Sequence, residues 1–367
     1  MLPRGFITLA VTLALQGAVW AQTGAAGTET LVRPPIPADL SEPVTSDAQA
    51  VQTSEQRQMA TMLLNNARAL SNVRAYPYEL KTTFTSSGSS SSDGAWSLED
   101  ISPRRNIYRW TAQGPAYSAI NLYNDRLLYS NQPAGTIPLR LTQVREAIFF
   151  IYPGTGPNMS LRTATGNLNG AALNCVLVAP AFGGQSFSGG RNWEESEYCT
   201  DPQFGLLVTY SPTPGLYIHY DYTNAIHFHD KTIPGAFTIS EEGRAVIEAK
   251  TQSVTDPTGL NPSLFTPAGL GPIGVGSVMT PPVRVHRMVG PMPVGGKGNL
   301  DFVVLLGVAS QDGQLTEPEI LASTNASLNQ TALDRAKNWR PGNQGQSGTT
   351  PQSHEVIFTF EFVTPAT

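Results

Sequence analysis

Residues 300–308, LDFVVLLGV, form an almost unbroken apolar run that includes three β-branched valines, and they read as a strand. Gln311-Asp312-Gly313-Gln314 supplies a tight turn, because Asp and Gly tolerate the backbone angles a hairpin needs. Residues 315–321, LTEPEIL, read as the returning strand, which Pro318 confines to an edge or half-protected position. Leu328, Ala332, Ala336 and Trp339 then recur at helical spacing along one face. Pro341 and Gly342 stop that helix, and residues 355–362, EVIFTFEF, alternate as a strand does. The expected order is β-β-α-β.

In order and wording this segment resembles the C-terminal domain of TonB-family proteins. The likeness rests on Val308-Ala309-Ser310-Gln311-Asp312-Gly313, on Ile320-Leu321-Ala322-Ser323-Thr324, and on the helix from Leu328 through Asn338-Trp339-Arg340-Pro341. The last strand, from Val356 to Phe362, completes it. The Tyr-Pro that often opens the domain is replaced here by Val289-Gly290-Pro291-Met292-Pro293. The resemblance implies a small sheet packed on one helix, docking by strand pairing on an envelope protein, with an outer-membrane receptor as one candidate. A sheet edge can accept or donate a strand through main-chain hydrogen bonds. On this reading Glu355, Val356, Ile357, Phe358, Thr359, Phe360, Glu361 and Phe362 form the partner-binding strand nearest that edge.

The N-terminus reads as an export signal. Arg4 gives the positive region, residues 6–15 (FITLAVTLAL) the apolar one, and Val19-Trp20-Ala21 the small recognition residues, so cleavage before Gln22 and a periplasmic location are expected. The alternative is an uncleaved inner-membrane anchor. Residues 5–21 reach only the lower edge of a spanning length, and Gln16 interrupts them. Cys175 and Cys199 are the only cysteines, and in an oxidising compartment they are expected to form one structural disulfide. Lys and Arg number 23 against 28 Asp and Glu, a net charge of −5 with no basic stripe, which excludes nucleic acid as a partner. With 34 Gly and 29 Pro the chain leans toward β-structure with many turns.

Residues 22–45 have no apolar period and read as a flexible lead-in. Across 46–71, Val51, Met59, Met62, Leu63, Ala67 and Leu70 fall on a helical stripe that Ser46-Asp47 can cap. Residues 76–251 then carry short, evenly spaced strands, among them 78–85, 105–112, 117–123, 167–178, 206–211 and 216–222, with one helix within 141–151. Such spacing indicates an antiparallel sheet, as a sandwich, barrel or half-barrel. The segment is similar to the LolA/RseB-like half-barrel group at Asp93-Gly94-Ala95-Trp96-Ser97-Leu98-Glu99, Tyr123-Asn124-Asp125, Cys175-Val176, Tyr220-Asp221-Tyr222 and Lys231-Thr232-Ile233-Pro234. That resemblance implies a curved sheet over helices, with a concave face for acyl chains or a partner's peptide. The expected fold class is therefore α+β: an N-terminal helix with a curved, half-barrel-like antiparallel sheet over 46–252, a Pro/Gly-rich linker over 253–282, and a small TonB-like β-β-α-β domain over 283–367.

Few side-chain groupings suggest chemistry. In HYDYTNAIHFHD, His219, His227, His229 and Asp230 crowd together, and His227 and His229 share a strand face, but no further metal ligand is legible. Ser186 lacks the Gly-x-Ser-x-Gly spacing of a nucleophile elbow. Glu194, Glu195 and Glu197 read as solvated charges at a strand end, and Gly295-Gly296-Lys297-Gly298 lacks the spacing of a phosphate loop. Ser327 or Asn329 is expected to cap the last helix. No catalytic, cofactor or metal site is expected. Two functions remain: a non-enzymatic periplasmic coupling protein that docks through its C-terminal strand, or a periplasmic lipid or lipoprotein carrier or sensor. In the carrier reading Trp110, Ile120, Leu122 and Phe149 line the concave face and a lipid or lipopeptide is the ligand.

Overall fold

Period-two alternation of apolar residues builds the larger of two main sheets. The computed structural model describes residues 33–37, 40, 46–88, 93–132, 136–149, 151–180, 190–275, 283–290, 298–310, 313–339 and 353–365. The export signal, Ser186, Lys297, Asp312 and Pro341-Gly342 lie outside the described residues. Along the chain come β1 (Ser46–Ala50), α1 (Ser54–Ser71), β2 (Tyr78–Ser86), β3 (Gly94–Arg104), β4 (Ile107–Gln113), β5 (Ser118–Asn124), β6 (Leu127–Ser130) and α2 (Leu139–Phe149). Then follow β7 (Met159–Leu168), β8 (Ala171–Pro180), β9 (Ser196–Thr200), β10 (Leu207–Thr213), β11 (Leu216–Asp221), β12 (Ile226–Phe228), β13 (Lys231–Ile233), β14 (Ala236–Glu241), β15 (Arg244–Thr255) and β16 (Gly271–Val275). The chain ends with β17 (Val283–Val289), β18 (Gly298–Ala309), β19 (Leu315–Ser323), α3 (Asn329–Lys337) and β20 (His354–Pro365).

Fourteen strands pair in the order β1-β7-β8-β9-β10-β11-β14-β15-β2-β3-β4-β5-β6-β16, antiparallel throughout, with β1 and β16 as open ends. On β2 every second residue, Tyr78, Leu80, Thr82, Phe84 and Ser86, is buried, as the alternation requires. The same face carries Trp96, Trp110, Tyr220 and Phe237, and it packs in one core with Ala60, Leu64 and Ala67 of α1 and Val144 and Ala147 of α2.

The second sheet has the order β17-β20-β18-β19, with β17 parallel to β20. One face of it holds α3: Val303, Leu305, Phe358 and Phe360 enclose Ala332, Ala336 and Trp339. The opposite face joins the core of the large sheet through Phe302, Val304, Leu306, Ile357 and Val363. Phe302 stacks on Trp193 at 5.1 Å between ring centroids. β18 is therefore apolar on both faces, which is why residues 300–308 read as a continuous run and not as an alternation.

Several expectations shift. Residues 46–50 are a strand paired to β7, and the helix begins later, where Thr53 and Gln56 form a reciprocal capping box. Its buried stripe is Ala60, Leu64 and Ala67, while Met59 and Met62 remain 57% and 51% exposed. The single strand expected over 167–178 is a hairpin, because Asn169 and Gly170 both take positive φ and reverse the chain between β7 and β8. The 253–282 segment is not wholly a tether, since 253–255 continue β15 and Gly271–Val275 pairs with β6. Asn325, not Ser327 or Asn329, accepts the capping bond, and it caps the short 3₁₀ turn ahead of α3. Glu355 to Phe362 lie on an interior strand: β20 pairs with β17 on one side and β18 on the other, so these residues present no free edge.

Candidate functional site

Apolar side chains from distant parts of the chain meet where the C-terminal ends of α1 and α2 cross the large sheet. Val73, Leu80, Ile148, Ile151, Tyr220 and Phe237 line an enclosed pocket there, closed on one side by Ile233 and Pro234 beside the β12–β13 hairpin. Three tyrosines are among the lining residues, and the hydroxyl of each is committed to a hydrogen bond. Tyr220 Oη donates to Ala147 O (2.8 Å), Tyr222 Oη donates to Leu207 O (3.1 Å), and Tyr152 Oη shares a bond with Ser71 Oγ (2.8 Å). What faces the cavity is therefore ring and hydrocarbon. Burial pushes the Tyr152 phenol up to about 12, so it stays neutral at physiological pH. No Asp, Glu, His, Lys or Arg is among the described residues that line it. The cavity is about 30 Å³, far below the roughly 300–1,000 Å³ of an ordinary ligand pocket, so an elongated ligand must move part of the wall.

The pocket borders a basic groove. Ser71, Ile148, Ile151 and Tyr152 also line an open cleft of about 390 Å³ that carries Arg68 and Arg74. Arg74 continues into a second cleft of about 590 Å³ with Arg104, Arg105, Tyr76 and Tyr108. All four arginines are exposed, and none forms an ion pair with another described residue. Most inward-facing arginines, by contrast, are matched. Arg145 Nη1 donates to Asp100 Oδ1 (2.9 Å) and its guanidinium lies 4.2 Å from the Trp110 ring centre. Arg140 binds Glu241 at 2.5 Å and Glu319 at 3.1 Å.

The residues singled out from sequence scatter. Cys175 and Cys199 do pair, as a disulfide between β8 and β9. His219 bonds Thr209 Oγ1 (3.2 Å) and His229 bonds Asp256 (2.9 Å), so the histidines of that stretch serve different neighbours. Glu194, Glu195 and Glu197 are not solvated: they meet Arg33, Arg162 and Arg191 at 2.7, 3.0 and 3.3 Å. Of the four residues expected on the concave face, Trp110 and Phe149 belong there. Trp110 lies opposite Asn121 in register, so Ile120 and Leu122 fall on the other face. The pocket lining was missed in sequence because its members are separated by up to about half the chain, and the groove because its four arginines come from three separate turns or helix ends.

No family model matches this chain, and no curated protein matches it. Among solved structures it is similar to a LolA superfamily protein from Nitrosomonas europaea, at 10% identity over 56% of this chain and 97% of that one, with a TM-score of 0.38. A domain from Vibrio parahaemolyticus, provisionally named as an outer membrane lipoprotein-sorting protein, is 9% identical over 56% and 97%, with a TM-score of 0.33. MucB in complex with MucA(peri) is 13% identical over 60% and 62%, with a TM-score of 0.24. At these scores the reading of the site rests on its own residues. No helix among the described residues is long and apolar enough to cross a membrane.

Proposed function

We propose that this is an exported, non-enzymatic carrier or sensor that takes the apolar chain of a lipid or lipopeptide into the pocket beneath α1 and α2. The observation that supports it most is the pairing of an uncharged, tyrosine-lined pocket with an adjoining groove of unpaired arginines. Apolar burial favours the chain by roughly 25 cal/mol per Å² removed from water, and the arginines favour an acidic polar end outside. Cargo enters by displacing Ile148, Ile151 and Tyr152, which line both the pocket and the cleft, together with Ile233 and Pro234. The Cys175–Cys199 disulfide fits an oxidising compartment.

The test is titration of the purified chain with a fluorescent long-chain fatty acid and with its neutral methyl ester. Both should bind, and Ile148→Glu, which puts a charge at the mouth, should weaken both at least tenfold. Arg68→Ala with Arg74→Ala should weaken the acid more than the ester. An unaltered chain that binds neither probe, with circular dichroism showing it folded, would sink the carrier reading.

A further inference from the structure

Away from the pocket, three chain segments bring a histidine and two carboxylates together at the joint between the sheets. Glu194 precedes β9, His286 lies on β17 and Glu361 on β20. His286 Nε2 is 3.1 Å from Glu361 Oε2 and 3.6 Å from Glu194 Oε1, and one ligand atom from each residue lies within 4.8 Å of the others. A tetrahedral site with bonds of about 2.0–2.1 Å has edges of about 3.3–3.4 Å, which the two measured separations bracket. At present a cation already sits there: Arg33 donates from Nη1 to Glu194 (2.7 Å) and from Nη2 to Glu361 (3.2 Å). Arg33 does not satisfy the whole cluster. Glu194 is 95% buried at its side chain (5% exposed), yet its Oε2 accepts no hydrogen bond.

We propose that Glu194, His286 and Glu361 form a site for a zinc-class divalent cation, competing with the Arg33 guanidinium for the same oxygens. Three protein ligands of this kind leave a fourth position open, and a Glu194 carboxylate released from Arg33 has both oxygens to offer the ion. Arg33 arrives on residues 33–37, a segment held here through Pro34 O, which accepts from Trp193 Nε1 (2.9 Å). Metal and segment are thus alternatives at one place.

The experiment measures Zn²⁺ by equilibrium dialysis, and Co²⁺ by its visible tetrahedral band, on the untagged full chain. Arg33→Ala should bind one ion per chain at least tenfold more tightly than the unaltered protein. Adding His286→Ala should abolish that gain and the Co²⁺ band, while the histidines at 219, 227, 229 and 354 remain as internal controls. Should Arg33→Ala not fold, Arg33→Met keeps the aliphatic stem near Phe302 and gives the same comparison. Affinity that Arg33 replacement does not raise, or that survives His286→Ala, overturns the proposal.

Discussion

Arg145 shows how far a single side chain here departs from the habits of its type. It is buried beside Asp100 and Tyr108 and lies over the rings of Trp110, Tyr108 and Phe149, so its charge is matched by one carboxylate, one hydroxyl and three rings. Burial nevertheless raises the Asp100 carboxyl to about 6, against the pull of Arg145. Removing one member strands the other. Arg145→Ala should cost about 3–5 kcal/mol in chemical unfolding, and Arg145→Met with Asp100→Asn should recover much of it. An equal loss in the single and double variants would mean that packing against Trp110, not charge pairing, sets the cost. Two turn glycines differ in what surrounds them. Gly215 has φ +85° and an added Cβ would lie 2.3 Å from Leu321 O, whereas Gly170 has φ +86° and open space. Both substitutions to Ala carry backbone strain of about 1–3 kcal/mol. Only Gly215→Ala should also loosen the contact of the β10–β11 turn with β19, and the difference between the two unfolding curves measures that contact.

At the scale of elements, what could be read from sequence depended on where each element's partners lie. α3 was legible because its buried stripe, Ala332 and Ala336 with Trp339 just past the helix end, is narrow and its other faces are wet. The disulfide was legible because two cysteines leave one pairing, and its loop spans 24 positions. Cys175→Ser with Cys199→Ser should lower stability by about 3 kcal/mol under oxidising conditions and make it insensitive to reductant. α2 was legible as a helix but not as a core element. Arg140, Arg145 and Glu146 suggest a wet face, yet residues from Leu139 to Ala147 are all buried. Their partners, Asp100, Glu241, Glu319 and Glu355, come from β3, β14, β19 and β20. No local pattern announces a partner supplied from the far end of the chain. The same reason hid the interior place of β20: alternation reveals a strand, while its neighbours are set by topology, and the parallel β17 was not legible at all.

For the molecule as a whole, the two sheets are joined through α2 by carboxyls whose pKa burial raises. Burial raises Glu146 and Glu355, which face each other across the α2–β20 contact. Glu319 on β19 is pushed up to about 8, first by burial and then by the charge of Glu241, with Arg140 opposing. A carboxyl whose folded pKa is raised binds its proton more tightly in the native state. Its contribution is complete below the unfolded value near 4.5 and is lost as pH rises through the folded value. The melting temperature should therefore fall between pH 5 and pH 9, with the β18–β20 amides losing protection, relative to the base-catalysed intrinsic exchange rate, at the alkaline end as their sheet loosens. Glu319→Gln cannot ionise and keeps a polar group beside Arg140, so it should flatten the decline between pH 7 and pH 9. If the mutant and the parent decline in parallel, the junction does not titrate through Glu319. If the large sheet's amides lose protection first instead, the two sheets do not separate at α2.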